Sequence, residues 1–211
     1  MQIGNGQLQA LMESAYQPCK NFSVCPEAKW KPEAGHIPRG ILGATGALED
    51  VEIVMVFAEP GHPHLKETYG PSQDPSDLLG QAMDYIFESY RDGTDLFHRN
   101  VRAFLDSLFP GKSFEEQLRF VWLTEGRLCS VENEIGGLRD KTCSQTFLVN
   151  QIQLFPNATV AAFGGKAQKY LKGLGLAHVG AYAMSPPGAN RKKAKETWEL
   201  VKQAVENNRL A

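Results

Sequence analysis

Two carboxylates, a pair of histidines and four cysteines are the residues of this chain whose types and spacing suggest chemistry. Glu59 opens Glu59-Pro60-Gly61-His62, with His64 two residues on, directly after the apolar run Val51-Glu52-Ile53-Val54-Met55-Val56-Phe57. A carboxylate beside imidazoles can hold a water, move a proton or steady a cation. Glu125 follows a second apolar run, Leu118-Arg119-Phe120-Val121-Trp122-Leu123. A solvated turn would have the same composition as Glu59-Pro60-Gly61, so that stretch alone leaves both readings open. The cysteines are Cys19, Cys25, Cys129 and Cys143. In a reducing compartment they are not expected to pair, and they read as buried small hydrophobes or as metal ligands.

The elements around these residues position them. The run 51–57 is β-branched and apolar throughout, as in a strand buried on both faces of a mostly parallel sheet. Proline and glycine end it at Pro60-Gly61. Further strands are expected at 118–123, 158–163 and about 178–183. Helical spacing of apolar residues predicts helices at 7–17, 77–90 (capped by Asp77 or Ser76), 95–109, 141–154, 166–171 and 192–207. Between them lie an irregular Pro- and Gly-rich loop from Cys19 to Gly40, a polar surface loop after His64, and an irregular stretch reaching Gly137. Strands alternating with helices predict an α/β fold, a single domain over 1–211. In a parallel sheet the turns at Glu59, Glu125 and Ser185 share one edge, where open α/β sheets bind ligands.

The bulk numbers set bounds. The chain has 211 residues, 42% hydrophobic and 22% charged, with a formal net charge of −2. That is the profile of a globular protein with a sizeable core. It excludes nucleic-acid binding driven by overall charge, so only a local patch could supply it. No apolar segment is long enough to span a bilayer. The N-terminal stretch lacks a signal-peptide pattern. Cytoplasmic residence and a monomer are the expectations, with no membrane partner.

Taken together the motifs resemble the uracil-DNA glycosylase superfamily, and within it the iron–sulfur branch. Phe57-Ala58-Glu59-Pro60-Gly61-His62 is similar to its first signature, a strand ending in an acid- or amide-containing Pro-Gly or Pro-Tyr-His turn. Met184-Ser185-Pro186-Pro187-Gly188-Ala189-Asn190 is similar to its last, a Pro/Ser-rich loop before the C-terminal helix. The stretch LVNQIQLFPNATVAAFGGKAQKYL between them looks like the family's helix, turn, strand and glycine sequence. The resemblance runs from about residue 10 to the end of the chain. It implies a three-layer α/β/α domain around a mostly parallel four-stranded sheet. It also implies a 4Fe–4S cluster on Cys19, Cys25, Cys129 and Cys143, with five residues between the first two where the family usually has two.

The activity implied is removal of a deaminated base from damaged DNA, single- or double-stranded, by hydrolysis of its N-glycosidic bond. The base is first flipped from the stack. Glu59 takes the place of the acid that stabilises the sugar cation and positions water, with His62 beside it. Phe57, Ala58 and Gly61 line the base pocket. Gly61 replaces a tyrosine of one branch and leaves a roomier floor, and Tyr69 is the nearest stacking aromatic. Two positions depart from the family. Met184 stands where a histidine normally steadies the leaving base, leaving Ser185 or backbone N–H groups of residues 185–188 to substitute. Glu125 stands where an asparagine reads the base, which puts strict uracil selectivity in doubt and admits hypoxanthine and xanthine. Arg191, Lys192 and Lys193, with Lys195, form a basic cluster at a helix start suited to DNA phosphates. Two other classes fit the same sequence: a weak or inactive superfamily member that binds DNA or a base, and an unrelated α/β hydrolase using Glu59 and the histidines.

Overall fold

The computed structural model describes residues 1–25, 28–71, 74–130 and 141–210. The expected irregular stretch up to Gly137 lies outside the described residues from 131 onward. Residues 72 and 73 of the loop after His64 lie outside them too.

The architecture is α/β, built on a five-stranded mixed sheet of order β1-β3-β2-β4-β5. Here β1 is Leu42–Gly43, β2 Ile53–Phe57, β3 Val121–Glu125, β4 Thr159–Phe163 and β5 Val179–Ala181. Strand β2 is central, parallel to β3 and β4, and β5 is parallel to β4. All five residues of β2 are buried, so both faces of the strand are covered. Burying a Val, Ile or Met side chain of this kind contributes roughly 1.5–3 kcal/mol.

The expected four-stranded sheet is corrected by β1, a two-residue edge strand antiparallel to β3. Its sequence, Leu-Gly, is too short to show a period of two, so pattern reading passes over it. The second strand is also corrected. It begins at Val121 rather than Leu118, because Ser113 and Glu116 form a capping box that starts a short helix, α4 (Phe114–Gln117). Residues 118–120 finish that turn, and Glu125 becomes the last residue of β3, opposite Phe57.

The remaining helices are α1 (Gly6–Glu13), α2 (Pro75–Asp92), α3 (Leu96–Leu108), α5 (Val149–Gln153), α6 (Gly165–Gly173) and α7 (Ala194–Arg209). Helix α2 starts earlier than expected: Asp74 caps it by accepting from the Ser76 amide, with Pro75 at the first helical position. Asp95 caps α3 through the His98 amide. The helix expected at 141–154 is a π-helical turn over Ser144–Leu148 that passes into α5. Helices α6 and α7 pack on the β4–β5 side of the sheet, and α2 packs on α3. No helix among the described residues is long and apolar enough to cross a membrane.

Candidate active site

Because β2, β3, β4 and β5 all run parallel, their carboxyl ends lie on one edge of the sheet. A cavity of about 570 Å³ opens there, a size that suits small-molecule and cofactor sites. It is lined by residues that are far apart in sequence. Phe57, Ala58, Glu59, Gly61 and His62 come from the end of β2, Tyr69 from the following loop, Glu125 from β3, and Met184 and Ser185 from the loop after β5. The four cysteines and the basic cluster lie elsewhere.

The Glu59 side chain is only 3% exposed, and its Oε1 accepts from Lys166 Nζ at 3.0 Å. Lys166 sits in the first turn of α6, where the helix dipole disfavours a cation. A carboxylate partner offsets that, and Glu59 is the partner that this fold provides. Lys166 lines the same cavity. The sequence reading did not single it out, because a lysine near the start of an amphipathic helix looks like a solvated one.

Glu125 is 5% exposed, and its Oε2 makes no hydrogen bond among the described residues. Gly40 leaves room for it. A Cβ on Gly40 would lie 2.6 Å from Glu125 Oε1, and its φ of 81° also favours glycine. Burial pushes the Glu125 carboxyl well above the ordinary carboxylate range; the Arg39 charge opposes this and the Glu59 charge adds to it. The end of β3 is tied to the Glu59 turn by the amides of Gly126 and Arg127, which donate to the carbonyls of Phe57 and Ala58 at 2.8 and 3.2 Å. Gly126 permits that approach, since a Cβ there would meet the Tyr170 ring at 2.6 Å.

The loop after His64, expected to be polar surface, instead carries a buried network. Glu67 is 4% exposed and Tyr69 likewise 4%. Arg39 Nη1 donates to Glu67 Oε2 at 2.8 Å, Tyr69 donates its hydroxyl to Glu67 Oε1, and the His64 amide donates to Glu67 Oε2. Arg39 also donates to the Gly61 carbonyl and to Ser130 Oγ. Tyr69 is therefore part of the cavity wall, its ring in an edge contact with that of Tyr85. The other aromatic walls are Phe57, Phe97 and Phe163, with Phe57 and Phe97 edge-to-face at 4.9 Å. Neither Arg39 nor Glu67 carried a motif, and only the fold makes them partners.

His62 is exposed at the rim, its ring against that of His36. His64 lies deeper, its Nδ1 3.0 Å from the Tyr85 hydroxyl and its Nε2 3.7 Å from Asp95. His98 completes this side of the cavity. Its Nδ1 is 2.9 Å from Asp95 Oδ1 but poorly aligned, so the two groups are close without a well-directed hydrogen bond.

Met184 is 1% exposed and forms an apolar wall. Its carbonyl accepts from Asn100 of α3 at 2.8 Å, which pins the loop. Of residues 185–188, Pro186 and Pro187 have no N–H to offer, so the expected set of backbone donors reduces to Ser185 and Gly188. Arg191, Lys192 and Lys193 are exposed immediately before α7, just beyond the cavity-lining Ser185–Gly188 segment.

Cys19, Cys25, Cys129 and Cys143 come from three segments, are all free thiols, and line one small void of about 20 Å³. Arg127 Nη2 donates to Cys25 Sγ at 3.3 Å. Burial pushes the Cys143 thiol up to about 11, opposed by the Leu128 amide. Among the described residues no three His, Cys, Asp or Glu side chains are grouped closely enough to hold a metal ion. Thiolates are the donor type that an iron–sulfur group uses. The void itself is water-sized, so the thiols would have to spread to admit one.

No protein-family model matches the chain, and no curated protein matches it.

Proposed function

We propose that the chain is a DNA glycosylase that accepts a flipped, deaminated base, uracil and also hypoxanthine or xanthine, and hydrolyses its bond to the sugar. The observation that carries this reading is that one cavity at the strand ends is lined by Glu59, Glu125 and Ser185, which come from distant parts of the chain. As the C1′–N bond breaks, positive charge builds on the sugar and negative charge on the base. A buried carboxylate facing the sugar stabilises the first and orients the attacking water, and this is the role of Glu59. Lys166 holds that carboxylate in place through the 3.0 Å ion pair. Aromatic walls and Glu125 receive the base, and recovering the unstacking energy of a few kcal/mol falls to these contacts. Arg191, Lys192 and Lys193 lie beside the cavity loop, where a phosphate backbone would pass.

The finer three-layer α/β/α arrangement belongs to the same proposal, supported by the burial of β2 on both faces. So does a 4Fe–4S cluster on Cys19, Cys25, Cys129 and Cys143. Its chemistry there would be structural, joining the 19–25 segment to the end of β3 and to the π-helical turn.

Oligonucleotides carrying uracil, hypoxanthine or xanthine, treated with alkali after incubation to reveal abasic sites, provide the test. Strand breaks with the wild-type protein and none with Glu59→Gln are expected. Cleavage unaffected by that change would sink the mechanism, and binding without cleavage would mark a non-catalytic base-binding protein.

A further inference from the structure

The cavity holds two carboxylates in contrasting settings. Glu59 sits in an ion pair with Lys166 at 3.0 Å. Glu125 has no ion pair, is buried to 95%, and keeps Oε2 without a hydrogen-bond partner among the described residues. An unpartnered polar atom this deep costs free energy, and the residue that carries it lines the cavity beside Glu59. Gly40 lines the cavity next to the carboxyl, and a Cβ there would lie 2.6 Å from Glu125 Oε1. Arg39, Glu59 and Tyr90 are the ionisable groups that influence it or feel it. Burial pushes the Glu125 carboxyl well above the ordinary range, which favours its protonated, donating form.

From this we infer that Glu125 is the general acid that protonates the departing base. The inference rests on the proposed N-glycosidic reaction and deepens it by supplying the donor that Met184 cannot. Where two carboxylates in one site have environments that drive their protonation apart, the neutral one is the acid and the charged one the base or electrostatic partner. Glycoside hydrolases divide the same two tasks between a carboxylic acid and a carboxylate. In the step itself the C1′–N bond breaks and its electron pair goes to the base. The Glu125 proton passes to a carbonyl oxygen or ring nitrogen of that base. Water adds to C1′ and yields its proton to the Glu59 carboxylate. Glu125 is left as carboxylate and Glu59 as acid, and exchange with solvent restores both.

The neutral acid also fits the substrate class. Its O–H and C=O together match the adjacent N–H and C=O of a lactam edge, which uracil, hypoxanthine and xanthine share.

The test compares uracil with 5-fluorouracil in otherwise identical oligonucleotides. Fluorine makes the base a better leaving group that needs its proton less. Glu125→Gln keeps one donor and one acceptor but cannot transfer a proton. It is expected to slow uracil release by roughly 10²-fold or more. Release of 5-fluorouracil should slow far less, and that residual activity shows that the variant is folded. Equal slowing of both bases, or slowing of neither, overturns the inference while leaving the glycosylase reading intact. A wild-type protein that releases neither base overturns both.

Discussion

Gly61 has open space where a side chain would begin. Nothing lies within 4 Å of the position a Cβ would take, and its φ is not in the left-handed region. Its carbonyl is held by Arg39, so the backbone stays in place when a side chain is added. Gly61→Tyr should therefore fold normally and narrow the cavity from its rim. Release of the larger hypoxanthine and xanthine should fall ~10-fold or more relative to uracil, measured as the ratio of kcat/KM values on the three oligonucleotides. An unchanged ratio would mean that the base does not lie under Gly61. Glu59, Glu125 and Lys166 answer a different question at this scale. Glu59 and Glu125 are visible in sequence as acids that follow apolar runs. Lys166 becomes meaningful only through its distance from Glu59.

At the scale of elements, the segments that carry the cysteines are joined to the cavity by a few named contacts. The Arg39 amide donates to the Leu128 carbonyl, next to Cys129, while its guanidinium reaches Gly61, Glu67 and Ser130. Pro38 bridges to Cys129, and the Lys29 amide donates to Ser130. The Pro- and Gly-rich loop after Cys19 is thus anchored at both the Cys129–Ser130 backbone and the Glu59–Gly61 turn, as loops of its length usually need to be. Protein prepared without oxygen should carry four irons and four sulfides per chain if the cluster is present. Cys129→Ser should lose the iron and its visible absorption, and should become more readily cut by protease within residues 19–40. Iron-free, colourless wild-type protein would leave the cysteines as buried thiols.

For the molecule as a whole, charge is nearly balanced, so any affinity for DNA would have to come from a local patch. Arg191, Lys192 and Lys193 are exposed at the start of α7, with Ala194 as the first helical residue. If all three meet phosphates, replacing them with glutamine should weaken binding to any DNA sequence. The slope of log affinity against log salt should become shallower by about 2.7, at roughly 0.9 per contact on duplex DNA. Titrations at several salt concentrations read this directly, and an unchanged slope would remove the cluster from the footprint.

Sequence alone was enough for the alternation of strands and helices, the buried character of β2, the acids that follow the apolar runs, and the exposed basic cluster. These are local properties: periodicity, turn chemistry and composition are carried by neighbouring residues. It missed β1, whose two residues show no period, and it began β3 three residues early because the α4 capping box was not recognised. Tertiary structure alone decided that Lys166 faces Glu59, that Arg39 and Glu67 form a buried pair, and that Glu125, beside Gly40, keeps an oxygen without a hydrogen-bond partner among the described residues. Each depends on side chains distant along the chain meeting at one sheet edge. The close packing of that meeting place, which no local pattern encodes, sets their partners.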